Sequence, residues 1–149
     1  MANKGATGTQ RWNSRTVLLL WGPPVVLSLL IFAVSFTPGS KFPEHPQILN
    51  FVYHFLEFAF FAFFLARALA PGRSQYGWGF LVLTVSMCAL LGFMDELLQF
   101  TVPQRMFDVR DLFVDIIGAF TGTSLYIRIR AILPFSRPHA GNLSEDDDV

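Results

Sequence analysis

Four apolar runs, each long enough to cross a bilayer as a helix, limit what this chain can fold into. Three of them carry ionisable residues in their interior. The runs extend roughly from Thr16 to Phe36, Ile48 to Ala70, Tyr76 to Phe100 and Asp108 to Ile132. A hydrocarbon core of about 30 Å takes about 20 apolar residues per helix. Four such helices use most of a 149-residue chain and leave no room for a separate soluble domain. The expectation is an all-α integral membrane four-helix bundle over residues 16–133. A polar tail (1–15) precedes it and a disordered acidic tail (134–149) follows, ending in Glu145-Asp146-Asp147-Asp148. A cleaved leader is the rival reading of the first run. The run's length and the poor cleavage site at Val34-Ser35-Phe36 favour an uncleaved span.

Net charge is zero and by itself says nothing about partners; no nucleic-acid partner is expected. The one cysteine, Cys88, excludes an intrachain disulfide and a cysteine metal motif. Gly22-Pro23-Pro24 predicts a kink early in the first helix. Phe58, Phe60, Phe61, Phe63 and Phe64 read as lipid-facing surface of the second. Lys4, Arg11, Arg15, Arg67, Arg73, Arg128, Arg130 and Arg137 flank one side of the bundle, against Lys41, Arg105 and Arg110 on the other. By the positive-inside tendency both termini are expected in the cytoplasm of a multi-pass plasma-membrane protein.

The embedded polar residues form stripes. Asn50, His54 and Glu57 stand at i, i+4 and i+7, and Gly92, Glu96 and Gln99 repeat that spacing with Asp95 one residue off. Asp111, Asp115, Gly118 and Gly122 share one face of the fourth helix. The two glycines form a small-xxx-small pair that lets a neighbouring backbone approach. With both termini inside, all three stripes fall in the outer half. An unpaired carboxylate in hydrocarbon costs at least about 3 kcal/mol, so the stripes are expected to meet in one shared polar site. Arg105 and Arg110 would then lie at its mouth near Glu57, Asp95, Glu96, Asp108, Asp111 and Asp115, and pairing there would explain two cations on the positive-poor side.

Plainer roles stand beside this one. His54 and Glu57 suit an interhelical hydrogen-bonded pair, Asp95 suits an interfacial helix end, and Asp108 suits an N-cap. Charge balance has several solutions: protonated acids, a bound divalent cation held by His54, Glu96, Asp111 and Asp115, a cationic or hydroxyl-rich ligand, or a wet outer edge.

Together these residues resemble the VanZ-like membrane protein family. The resemblance rests on His54-Phe55-Leu56-Glu57, then Asp95-Glu96-Leu97-Leu98-Gln99, then Pro103-Gln104-Arg105, then Asp108, Asp111 and Asp115 before Gly118 and Gly122. It covers roughly residues 45–125. Two positions depart from the family pattern: Asn50-Phe51 stands where Asp-Lys is common, and Gln104 replaces the glycine of Pro-Gly-Arg. The family's namesake is associated with resistance to the glycopeptide teicoplanin. The resemblance therefore implies a cell-envelope protein whose acidic site binds an envelope lipid or glycopeptide. The ligand-binding candidates are His54, Glu57, Glu96, Gln99, Arg105, Asp108, Asp111 and Asp115. The alternatives are a metal-dependent hydrolase or transferase acting on lipid headgroups, or a proton- or cation-coupled transporter, which four helices could form only as a homo-oligomer.

Overall fold

The computed structural model describes residues 13–41, 46–71, 73 and 76–133. The acidic tail and most of the amino-terminal tail lie outside them. Four α-helices follow in order: α1 (Ser14–Ser35), α2 (Gln47–Leu69), α3 (Trp78–Phe100) and α4 (Val109–Ile132), with a short 3-10 turn at Gly39–Lys41. Among the described residues there is no strand. At a 1.5 Å rise per residue helices of 22 to 24 residues are about 33–36 Å long, and all four are long and apolar enough to cross a membrane.

α2 and α3 pack on each other and form the middle of the bundle. α1 lies against both, α4 lies against both, and α1 and α4 do not touch. The arrangement has two flanks, and that division governs the polar end.

The α2–α4 contact is the tightest, and its cause is local sequence. A Cβ on Gly118 would collide with the Phe55 carbonyl, and one on Gly122 with the backbone of Ala59. The small-xxx-small face therefore seats α4 on the α2 backbone, with Ala62 and Ala119 also fully buried. Lipid gives no hydrophobic force between spans, so such close van der Waals packing is what holds them together.

α1 runs as one helix through Gly22-Pro23-Pro24. Pro23 has no N–H to return to the carbonyl of Leu19 four residues back. Arg67 of α2 takes that carbonyl instead, its Nη1 donating at 2.8 Å. A cation thus caps a bond the sequence itself removed, and this ties α1 to α2 far from the polar end.

The expectation of a wholly lipid-facing phenylalanine set is corrected. Phe58 and Phe61 are buried in a core with Ile31, Leu65 and Cys88, and Phe63 packs edge-on against Tyr126 with ring centroids 5.7 Å apart. Only Phe60 of the five is largely exposed. The reason is topological: α2 touches all three other helices, so several of its phenylalanines face a neighbour and not lipid.

Candidate functional site

The end of the bundle where α1 and α3 finish and α2 and α4 begin gathers nearly all the embedded polar side chains. Asp95, Glu96, Gln99, His54, Asp111 and Asp115 are all buried there. They fall into two groups, one on each flank of the α2–α3 pair.

On the α4 flank the contacts are short and closed. His54 Nδ1 faces Asp115 Oδ1 at 3.0 Å, and His54 Nε2 lies 3.6 Å from Asp111 Oδ2. Asn50 Nδ2 donates to the same Asp111 oxygen at 3.0 Å. Glu96 reaches the start of α4, where its Oε2 accepts the Asp108 amide at 2.8 Å. Asp108 caps α4 as the sequence suggests, its carboxylate accepting from the Arg110 amide at 2.8 Å. Glu96 and Asp115 are completely shielded. Gly92 makes room for this group, since a Cβ there would sit 2.9 Å from Asp115 Oδ2.

On the α1 flank the polar groups line a half-open cavity of about 1070 Å³. Its wall combines Ile31, Val34, Leu56 and Tyr53 with Asn50, His54, Glu57, Asp95, Gln99 and Arg105. Asp95 and Glu96 are consecutive in α3 and so point about 100° apart. Glu96 turns to α4, while Asp95 turns to α1, where the Ser35 hydroxyl donates to it and Gln99 Nε2 donates at 2.7 Å. Asp95 is therefore an interior residue (3% exposed), not an interfacial helix end.

Arg105 donates to the Thr37 and Val34 carbonyls at 3.4 and 3.5 Å and to Gln99 Oε1 at 3.3 Å. It brings a cation to the carboxyl end of α1, where the helix dipole is negative. That is a physical reason for an arginine on the positive-poor side beyond pairing with acids. Arg110 is exposed. The rim of the cavity is closed by two loops in contact. The Gly39 amide donates to the Pro103 carbonyl at 3.4 Å, and a Cβ on Gly39 would strike the Gln104 backbone. Gln104 has φ 63°, the only positive value at a non-glycine among the described residues.

Of the eight residues picked from sequence, His54, Glu96, Asp108 and Asp111, with Asp115, stand on the α4 flank, and Glu57, Gln99 and Arg105 on the cavity side. His54 belongs to both. Ser35 went unnoticed, although a hydroxyl at the end of an otherwise apolar run was its signal. Asn50 was seen in its stripe but left out of the site.

Fold and polar end together define the class: a polytopic α-helical membrane protein with buried acids at one end of a four-helix bundle. A model of the VanZ/LLP1 family matches residues 9–130, and the chain belongs to that family. The match takes in α1, which lies outside the stretch that carried the sequence resemblance. Neither a curated protein nor a solved structure matches the chain.

Proposed function

We propose that this chain is a cell-envelope protein of the plasma membrane, with both termini in the cytoplasm, whose cavity receives the polar head of an envelope amphiphile. The observation that carries the reading is the cavity itself. At about 1070 Å³ it is at the large end of small-molecule sites. Its lining joins apolar side chains of α1 and α2 to a small set of convergent polar ones, which suits a molecule with a tail in lipid and a head of hydroxyls and phosphate. Asp95 and Glu57 would accept hydrogen bonds from hydroxyls, and Arg105 would meet the anionic group. The positive-poor flanks of this end support an outward mouth.

A lipid-linked wall precursor has this chemistry. A glycopeptide is the other candidate from the family association, and it would reach the same mouth from outside. The test is native mass spectrometry of the purified protein with polyprenyl-phosphate lipids and with teicoplanin as probes, alongside antibiotic susceptibility of cells carrying Asp95→Asn. Lipid adducts that Arg105→Gln and Asp95→Asn each weaken about tenfold, as loss of a charged hydrogen bond predicts, support the reading. No adduct with either probe, together with unchanged susceptibility, contradicts it.

A further inference from the structure

The acids on the α4 flank are left with unused oxygens that the cavity reading does not need. Glu96 spends Oε2 on the Asp108 amide, and its Oε1 has no partner among the described residues. Asp111 spends Oδ2 on Asn50, and its Oδ1 has none. Both residues are more than nine-tenths buried, so water does not make up the loss. A buried oxygen left without a partner is costly, more so when charged. Two of them on adjoining side chains, with Asp115 Oδ2 a third on the same flank, point to a ligand.

The donor set identifies its class. His54, Glu96 and Asp111 each offer one atom within 4.8 Å of the other two, and the His54 Nε2–Asp111 Oδ2 separation is already 3.6 Å. Ligands about 2.0–2.2 Å from a tetrahedral ion stand about 3.4 Å apart, so small side-chain rotations complete the set. The tautomer fits as well. With the Asp115 carboxylate accepting from Nδ1–H at 3.0 Å, Nε2 is left with its lone pair toward Glu96 and Asp111. A carboxylate behind a ligating imidazole is how proteins orient such ligands, and Gly92 supplies the space that lets Asp115 do so. One imidazole nitrogen with two carboxylates suits a first-row transition ion better than calcium, which takes six to eight oxygens. Two positive charges would also offset the three acids that His54 alone faces.

We infer that His54, Glu96 and Asp111 bind one divalent transition-metal ion, with Zn²⁺ the expected occupant, and that Asp115 is the positioning carboxylate behind His54. The metal site shares His54 with the cavity wall but needs no cavity ligand to form. It stands or falls on metal content, whether or not an amphiphile binds.

The test uses the full chain purified in detergent through a tag without histidines and without chelators. Elemental analysis is expected to find about one Zn²⁺ per chain, or about one taken up on titration of chelator-treated protein. Glu96→Gln and Asp111→Asn are expected to lose it, and Asp115→Asn to weaken it about 10–100-fold. Asp95→Asn, one residue away but on the cavity side, is expected to keep it. Substitution of Co²⁺ into the wild-type protein gives a readout that needs no variant to fold: d–d absorption of a four- or five-coordinate ion is expected. No stoichiometric metal before or after titration overturns the inference. So does full retention in monodisperse Glu96→Gln and Asp111→Asn protein, or an octahedral hexa-aqua Co²⁺ spectrum.

Discussion

Asp95 and Glu96 are neighbours in one helix, yet they belong to opposite flanks of the molecule. Asp95 turns to α1, meets a serine and a glutamine, and lines a half-open cavity. Glu96 turns to α4, meets a backbone amide, and, wholly shielded, keeps one oxygen without a partner among the described residues. The difference shows that the embedded charge of this bundle answers two demands. On the cavity side, Asp95 has neutral donors around it and space in front of it, as a ligand site requires. On the other side Asp111 and Asp115 of α4 are brought to His54 of α2 by the helix contact at Gly118 and Gly122.

The largest break in this comparison is expected from Asp115→Ala. It leaves His54 without its closest partner in a fully shielded position, and removing one member of a buried pair costs about 3–5 kcal/mol. Unfolding in mixed micelles measures it. The same technique is expected to give only about 1 kcal/mol for Asp95→Asn, since an asparagine keeps hydrogen bonds to Ser35 and Gln99 and the cavity admits water. Near-equal losses would erase the distinction between the flanks.

Next in size is Gly122→Val, where new methyl groups must displace the Ala59 backbone. Overpacking of that kind costs about 1–3 kcal/mol. Because it pushes α4 from α2, it is expected to weaken metal binding while sparing amphiphile binding. Equal loss of both would mean the flanks are mechanically one unit.

Sequence pattern reached the faces but not the partners. The shared face of Asp111, Asp115, Gly118 and Gly122 follows from helical spacing, and the structure seats it on α2. Spacing could not say that α1 and α4 flank a central pair, so the split between Asp95 and Glu96 was invisible and one common site was expected. Nor could it sort the phenylalanines, because a side chain facing lipid and one facing a neighbouring helix are equally apolar. Phe58 and Phe61 were misread for that reason. The partners of Arg67 and Arg105 are main-chain carbonyls, and no sequence pattern pairs a cation with those. Pro23 was nevertheless a clue to the first, since it orphans Leu19.

The smallest expected effect lies at the cavity rim. Gln104 holds a left-handed backbone conformation that costs a side-chain-bearing residue about 1–2 kcal/mol. Gln104→Gly removes that cost at some loss in chain entropy, for a net gain of about 0.5–1 kcal/mol. A thermal shift upward with unchanged metal content would place the strain in the rim alone.

The two-compartment claim is tested most directly by cysteine accessibility in a Cys88→Ser background on intact cells. A membrane-impermeant maleimide is expected to label Glu57→Cys, which faces the cavity, and to leave Asp115→Cys untouched, since that position is wholly shielded. Equal labelling at both positions, or protection of both, would contradict the account.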